Sequence, residues 1–309
     1  MIKIELGRNK LKASQIILGT MRIATMSLSQ IEKLINTALE YGINAINLTD
    51  LYSGGRCEEL FGEVLERNPR LRGEFLLQTK CGIRLDGSMK YYDFSKKYII
   101  DSVDETLKRL KTGYIDCLFL GRPDALMEPE EVAAAFDTLH KSGKVIEFGV
   151  SDINPMTISL LRDYLNVPIV ANQMQMSCAF TPAIDANLNV NIKNDSANMR
   201  EGGILEFCRM NNIVIQAYSP LQYGDLEGNF IGSSKYPKLN EVLNRIAKEK
   251  EVSPSAVALA WIFRYPGKIQ AIIGTTKPDR IREAVQAPDI ELTRSEWYEI
   301  YQAVGHILP

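Results

Sequence analysis

The sequence predicts one α/β domain over residues 1–309, an eight-fold β/α barrel (TIM barrel) preceded by a β-hairpin. Short apolar runs alternate with amphipathic stretches eight times, as strands and helices do around a parallel sheet. The chain has 309 residues and is 45% hydrophobic, so it can bury one large core. Barrels of this kind commonly exceed about 250 residues without dividing into domains.

The N-terminal hairpin is predicted from two short stretches, Lys3 to Leu6 and Leu11 to Ser14, joined by a turn over Gly7 to Lys10. It precedes the first barrel strand, and we expect it to close the bottom of the barrel.

Eight apolar runs that follow the hairpin are predicted to be the barrel strands, because each is short and bounded by turn residues. They are Ile16 to Gly19, Ala45 to Leu48, Phe75 to Thr79, Cys117 to Leu120, Phe148 to Ser151, Ile169 to Asn172, Ile213 to Tyr218 and Ala271 to Gly274.

The helices between these strands have recognisable ends. The first is predicted to begin after Ser29, because Ser29 and Glu32 have the spacing of a capping box. Its apolar face is formed by Ile31, Leu34, Ile35, Ala38 and Leu39. Prolines, whose missing N–H costs little in a first turn, mark four further starts at Pro129, Pro155, Pro254 and Pro278. Gly42 and Gly143 stand where helices are expected to stop.

Two long segments rich in Asn, Gly and Ser follow the sixth and seventh predicted strands, at Ser177 to Gly202 and at Gln222 to Pro237. Loops that follow the strands of a β/α barrel lie at its catalytic face. We therefore expect these two segments to shape a substrate pocket.

The composition favours a small ligand over a macromolecule. Thirty-six Lys and Arg against 38 Asp and Glu give a net charge of -2, so no broad positive field is available for nucleic acid or a membrane surface. The five cysteines are scattered and never spaced as CxxC, which argues against a disulfide framework or a zinc site and favours a reducing, cytoplasmic environment. The longest apolar run, Ala256 to Phe263, is far shorter than the roughly 18 residues of a membrane span.

A series of motifs spread over nearly the whole chain resembles the aldo-keto reductase family in order and spacing. The most specific is Tyr41 to Gly55, continuing through Cys57 to Gly62, which is similar to a strand ending in DTADxYG followed by ExxxG. The others are Gln78 to Gly82, Leu120 to Asp124, Gly143 to Asp152, Ala171 to Gln173, Ala217 to Leu221 and Ile272 to Glu283. Within the family, Gly121 to Met127 is closest to the bacterial subgroup with the motif HRPDPLM.

The resemblance implies an NADP(H)-dependent reductase of a small carbonyl substrate, in which a tyrosine protonates the carbonyl oxygen. Tyr52 and Lys80 match the catalytic tyrosine and lysine. A free tyrosine has a pKa of about 10, so a nearby lysine is needed to make it a usable acid at neutral pH.

The other two positions of the family's catalytic tetrad are substituted. Asn47 stands where the family has the aspartate that pairs with the lysine, and Gly121 stands where it has a histidine. Asn47 can accept a hydrogen bond from Lys80 but supplies no charge, and Gly121 has no side chain. Losing such a preorganised donor typically costs roughly 100- to 1000-fold in turnover.

Few residues are placed to substitute for the missing groups. Asp50 lies close to Asn47 in the sequence and could approach Lys80, although the family gives this second aspartate a supporting role. The two histidines, His140 in a predicted outer helix and His306 near the C-terminus, are poorly placed.

The nicotinamide end of the cofactor site is implied by residues at the ends of several strands. Ser151, Asp152 and Gln173 match residues that hold the carboxamide, with Asp152 in place of the usual asparagine; otherwise they would be helix caps and a buried amide. Tyr218 matches the aromatic residue on which the ring stacks, although core packing would also explain it. Met21 and Arg22 match the first β/α loop, which borders the ring.

The phosphate end is implied by the segments that follow the last two strands. Ser219, Pro220 and Leu221 match the turn that holds the pyrophosphate. Gly274, Thr275, Lys277 and Arg280 match the site of the 2′-phosphate of NADP, which a guanidinium can bind with two hydrogen bonds, although a helix surface would carry such charges anyway. Glu283 matches an adenosine contact, and Ala284 departs from the family's common asparagine.

Three functions remain open on the sequence alone. The first is an NADPH-dependent carbonyl reductase in which water or another side chain replaces the missing groups. The second is an NADP(H)-binding pseudoenzyme that acts as a sensor or interaction module. The third is an unrelated barrel lyase or isomerase, for which the spacing of Tyr52, Lys80 and Gln173 would be coincidence.

Overall fold

The computed structural model describes residues 1–190, 192, 195–198, 202–224 and 227–308. In chain order its strands are β1 (Lys3–Leu6), β2 (Leu11–Ser14), β3 (Ile16–Gly19), β4 (Ala45–Asn47), β5 (Leu76–Cys81), β6 (Ile83–Asp86), β7 (Met89–Tyr92), β8 (Ile115–Gly121), β9 (Val145–Ser151), β10 (Ile169–Gln175), β11 (Val214–Tyr218) and β12 (Ile269–Ile273).

The predicted barrel is confirmed. Eight parallel strands close in the order β10, β11, β12, β3, β4, β5, β8, β9, and each predicted barrel strand overlaps one of them. Closure joins the last strand to the first, with Ala271 of β12 opposite Ile16 of β3. Because all eight strands are parallel, the segments that follow them meet at one rim of the barrel.

The fourth barrel strand is longer than predicted, because a polar residue interrupts its apolar run without ending the strand. Asp116 is buried, and its carboxylate accepts hydrogen bonds from the backbone N–H of Leu77 (2.8 Å) and from Arg72 (2.8 Å). These partners satisfy the charge inside the sheet, so β8 begins at Ile115 rather than Cys117.

The N-terminal hairpin formed by β1 and β2 closes the bottom of the barrel, as expected. Ile4 and Leu6 pack in one buried cluster with Ile17 and Phe119 from the barrel interior. Glu147, also buried, accepts hydrogen bonds from the backbone and side chain of Asn9 in the hairpin turn (3.0 and 2.9 Å).

Twelve α-helices are present in the described part of the chain. They are α1 (Leu28–Glu40), α2 (Arg56–Arg67), α3 (Leu71–Glu74), α4 (Lys96–Leu110), α5 (Pro129–Lys141), α6 (Pro155–Tyr164), α7 (Pro182–Leu188), α8 (Ile204–Met210), α9 (Pro237–Glu249), α10 (Pro254–Arg264), α11 (Pro278–Ala284) and α12 (Arg294–Ala303).

The predicted start of α1 was wrong by two residues. The capping box is formed by Ser27 and Gln30 rather than by Ser29 and Glu32, because Ser27 has the extended backbone that a cap requires. The four prolines predicted to open helices are each the first residue of one, in α5, α6, α10 and α11. Gly42 and Gly143 follow the ends of α1 and α5 with φ of +77° and +71°, a conformation that favours glycine.

A second hairpin, β6 and β7, was not predicted from the sequence. It follows β5 at the rim and turns at Gly87, which has a φ of +58°. Leu85 and Met89 are exposed, and each strand has only four residues, which is at the lower limit for a periodicity that marks a strand.

The two long segments predicted to shape a substrate pocket do follow β10 and β11, although residues 191, 193, 194, 199–201, 225 and 226 lie outside the described residues. All five cysteines are buried and free. None of the helices in the described ranges is both long and apolar enough to cross a membrane.

Candidate active site

The residues predicted for catalysis and for cofactor binding lie on one rim of the barrel. Tyr52 follows β4, and Arg280 lies in α11, which follows β12. In the barrel, β3 is the single strand between β4 and β12. Arg22, which follows β3, donates a hydrogen bond to the carbonyl oxygen of Gly274 (2.8 Å) and so joins the first and last loops of this rim.

Lys80 extends from β5 into the barrel, where neutral oxygens hold its ammonium group. Its Nζ donates to Oε1 of Gln173 (2.7 Å) and to Oδ1 of Asn47 (3.4 Å). Burial lowers the pKa of Lys80 to about 8, and the negative charges of Asp152 and, less strongly, Asp50 oppose that shift. The lysine is therefore an ammonium at neutral pH and loses its charge in mildly alkaline solution.

Tyr52 is half-buried and bonds to the same asparagine. Burial raises the pKa of Tyr52 to about 12, with a smaller contribution from the thiol of Cys57, and a hydrogen bond with the Asn47 side chain opposes the rise. Asn47 thus lies between the phenol and the ammonium. It fixes their relative position but contributes no charge.

A column of buried amides continues from Asn47 through the centre of the barrel. Oδ1 of Asn47 also accepts hydrogen bonds from Gln173 (2.9 Å) and Gln78 (3.2 Å). Both of these glutamines donate to Oε1 of Gln216 (2.8 and 3.0 Å), whose own amide donates to Gln270 (2.9 Å). The lysine is therefore anchored to a neutral network that reaches the barrel floor.

The sequence reasoning missed three members of this network, Gln78, Gln216 and Gln270. These glutamines could have been recognised from the sequence, because each lies in a largely apolar stretch, as in Ile269-Gln270-Ala271. A buried amide must find hydrogen-bond partners, so several such glutamines on neighbouring strands indicate a shared interior network.

Gly121 ends β8 beside Lys80. A Cβ atom at this position would lie 3.3 Å from the carbonyl oxygen of Cys81 and 3.8 Å from Cδ of Lys80. A side chain here would thus project beside the lysine, with a small adjustment of one backbone carbonyl. His140 is exposed in α5, and His306 bonds to Thr181 (2.8 Å), so neither replaces it.

Asp152 lies directly after β9 with a φ of +57°. Its carboxylate accepts hydrogen bonds from the hydroxyls of Tyr218 (3.2 and 3.3 Å) and Ser151 (3.3 Å), and it forms an ion pair with Arg122 (3.5 Å). Burial raises the pKa of Asp152, and Arg122 is the strongest of the groups that oppose the rise. Arg122 was missed as a site residue, although it follows Gly121 in the recognised motif.

Asp50 does not form an ion pair with Lys80. Its carboxylate accepts hydrogen bonds from Thr49 (3.1 Å) and, weakly, from Ser102 of α4 (3.5 Å). Burial and the nearby Glu58 raise the pKa of Asp50 to about 6. The sequence left open whether Asp50 replaces the aspartate that is missing at position 47. In the structure it does not, because its carboxylate bonds to Thr49 and Ser102 instead of Lys80.

The predicted phosphate end has exposed cations. The Arg280 and Lys277 side chains are exposed and form no hydrogen bond or ion pair with any described residue. The hydroxyl of Thr275 accepts a hydrogen bond from the backbone N–H of Lys277 (3.1 Å) and so fixes the loop after β12. Glu283, one turn along α11, is half-buried.

The segment after β11 forms a tight turn. Ser219 has a φ of +49°, and its carbonyl oxygen accepts a hydrogen bond from the backbone N–H of Gln222 (3.0 Å). Pro220 is buried within the turn, and Leu221 is half-buried. Tyr218, just before it, is held by Asp152 and contacts Arg122 (3.5 Å).

The sequence profile described as the Aldo/keto reductase family matches residues 15–304. This chain belongs to the aldo-keto reductase family. It is 34% identical to the uncharacterized oxidoreductase YcsN of Bacillus subtilis over the full length of both chains. It is 33% identical to the 6-dehydroglucose reductase of Agrobacterium fabrum, over 96% of each chain. A crystal structure of a thermostable aldo-keto reductase with the inhibitor epalrestat has a TM-score of 0.77 and 23% identity, covering 98% of this chain and 100% of that chain.

As a member of this family, the chain is an oxidoreductase rather than the unrelated lyase or isomerase that the sequence alone left open. At the candidate catalytic end, Asn47 forms hydrogen bonds with both Tyr52 and Lys80, whereas position 121 contributes no side chain.

Proposed function

We propose that this aldo-keto reductase uses NADP(H) to reduce small aldehydes or ketones to alcohols, with turnover weakened at Asn47 and Gly121. The observation that carries the proposal is the gathering of Tyr52 and Lys80 around Asn47 on the same rim as the unpaired cations Lys277 and Arg280.

The residues present fit NADP(H). Exposed Lys277 and Arg280 would hold a phosphate group, because each offers donors that no described residue occupies. Tyr218 would support the nicotinamide ring, and Ser151 and Gln173 would hold its carboxamide. NADPH, when bound, supplies the hydride.

The protein's own part in the reaction is to hold and deliver a proton. The Tyr52 hydroxyl holds it, and Lys80 favours the phenolate that remains after transfer, as long as the lysine is charged. Because the pKa of Lys80 is about 8 and that of Tyr52 about 12, the pair is poorly matched at neutral pH. This mismatch, together with the missing donor at position 121, supports slow turnover.

A second candidate is an NADP(H)-binding pseudoenzyme that acts as a sensor or interaction module. Two observations favour it. The cations proposed to bind the cofactor, Lys277 and Arg280, are present and unpaired within the described residues, whereas two of the four catalytic positions, 47 and 121, are substituted. A calorimetric titration with NADPH and with NADH, followed by a panel of aldehydes and ketones, separates the two candidates. The panel should include 6-dehydroglucose, after which one relative is named.

NADPH binding with turnover supports the reductase, and NADPH binding with no turnover across the panel supports the pseudoenzyme. The absence of nucleotide binding contradicts both. In the reductase, Asn47→Asp combined with Gly121→His should raise kcat by roughly 100-fold or more, because it supplies both missing groups. An unchanged kcat with unchanged NADPH affinity would show that the weakness lies outside these two positions.

A further inference from the structure

The charge of Lys80 has no direct counter-ion. Within the described ranges of the chain, Lys80 forms no ion pair, and both of its hydrogen-bond acceptors are neutral amide oxygens. Lys80 is half-buried, and partial burial of an ammonium without a nearby anion is unfavourable. A carboxylate elsewhere in the site would reduce this cost, which the neutral side chain of Asn47 does not.

Two carboxylates act on Lys80, those of Asp152 and Asp50, and Asp152 has the larger effect. Asp50 faces the outside of the barrel, where it bonds to Ser102 of α4 and lines a cleft of about 550 Å³ that also includes Arg109. Burial and, less strongly, the nearby Glu58 raise the pKa of Asp50 to about 6, so its carboxylate is partly protonated near neutral pH.

Asp152 is linked to the lysine through Gln173. Its backbone N–H donates to the carbonyl oxygen of Gln173 (2.8 Å), and the side-chain oxygen of the same glutamine accepts the shortest hydrogen bond of Lys80 (2.7 Å). Ser151 is directly opposite Gln173 in the strand pairing of β9 and β10. The position of Asp152 is therefore set by the strand that anchors Lys80.

The Asp152 carboxylate is also fixed in orientation. The hydroxyls of Tyr218 and Ser151 both donate to it, and Arg122 pairs with it from the end of β8. Its side chain is 19% exposed, so water screens its charge only in part. Lys80 in turn opposes the rise in the pKa of Asp152, so the two charges act on each other.

We propose that Asp152 is the displaced counter-charge of Lys80: the carboxylate that the site lacks at the end of the second barrel strand is supplied from the end of the fifth. Asp152 is in this respect a positioning residue, which keeps Lys80 charged so that Lys80 can act on Tyr52. The inference rests on the proposed function only in assigning that role to Lys80. The carboxylate also serves Arg122, so its hold on the lysine is weaker than that of an aspartate at position 47.

The test is the titration of Lys80 itself, measured without cofactor or substrate. In protein labelled with ¹³C at the lysine ε-carbon, the Lys80 signal is assigned by its absence in Lys80→Arg. Asp152→Asn should lower the titration midpoint of Lys80 by roughly one pH unit, because the negative charge that is linked to Lys80 through Gln173 is lost. Asparagine tolerates the positive φ at this position, so the fold should be kept.

Other charged or titratable groups lie at the ends of neighbouring strands, and they include the control. Asp50 and Tyr52 follow β4, Arg122 follows β8, and Tyr218 ends β11. Asp50→Asn, the matched control, should lower the midpoint by less than Asp152→Asn does. Moving the charge back, with Asn47→Asp added to Asp152→Asn, should return the midpoint to the wild-type value or above it.

An unchanged midpoint in Asp152→Asn, a larger shift in Asp50→Asn, or no recovery in the double variant would each overturn the proposal. If Asp152→Asn fails to fold, Asp152→Ser removes the same charge and is judged by the same outcomes. Turnover is a separate measurement. A protein without reductase activity whose Lys80 midpoint shifts as expected would contradict the proposed function but leave this inference intact.

Discussion

The two ends of the candidate site hold their positive charges in opposite ways. At the proposed phosphate end, the Lys277 and Arg280 side chains are exposed and make no hydrogen bond or ion pair with described residues. At the proposed catalytic end, Lys80 is half-buried and donates to the amide oxygens of Gln173 and Asn47, and burial lowers its pKa to about 8. The exposed cations keep their charge in water, whereas the charge of the half-buried Lys80 depends on the groups around it. Cofactor affinity and turnover should therefore respond to different substitutions.

The largest expected effect is on turnover, at the catalytic end. Tyr52→Phe removes the proton that Tyr52 would donate and should lower kcat by about 100- to 10,000-fold. The dissociation constant for NADPH, measured by calorimetry, should change little, because the phosphate end is untouched. A comparable loss of NADPH affinity would show that the two ends are not separable.

An intermediate effect is expected on cofactor affinity, at the phosphate end. Arg280→Met should weaken NADPH binding by roughly 10- to 100-fold while leaving NADH binding nearly unchanged, because a charge-assisted hydrogen bond to the 2′-phosphate is lost. Arg282→Met is the matched control, since Arg282 lies on the same helix but pairs with Asp279 (2.5 Å). Equal losses in both variants would contradict a specific phosphate contact.

The smallest expected effect is on stability. The folded-state pKa of Lys80, about 8, is below the ordinary 10.5, so the folded protein binds this proton less tightly than the unfolded chain. The lowered pKa therefore reduces the free energy of unfolding. This reduction is complete below pH 8 and disappears as the pH rises toward 10.5. Asn47→Asp supplies a counter-charge and should raise the free energy of unfolding at pH 7 by about 1–2 kcal/mol.

Urea denaturation at pH 7 and pH 10 measures this effect, and the gain should vanish at the higher pH as Lys80 loses its proton. Arg280→Met serves as the control, because an exposed substitution away from the core should change stability by less than about 0.5 kcal/mol. A stability gain in Asn47→Asp that is equal at both pH values would show that it does not come from the charge of Lys80.

Features set by local chemistry were predictable. The eight strands, the prolines that open four helices and the glycines that end two of them follow from short-range patterns and were confirmed. The misses had two causes, a choice between two neighbouring serines as the cap of one helix and a tertiary contact in one strand. The capping box uses Ser27 rather than Ser29, and β8 includes Asp116 because partners distant in the sequence satisfy its carboxylate.

The sequence by itself determined the barrel, the family and the identities of the residues at the rim, because residue types and their spacing are read directly from the sequence. Only the tertiary structure showed that Asn47 bonds to both Lys80 and Tyr52, that glutamines from four strands join in one network, and that Gln173 links Asp152 to Lys80. The physical reason is that hydrogen bonds and charge interactions depend on distance and burial across strands far apart in the chain.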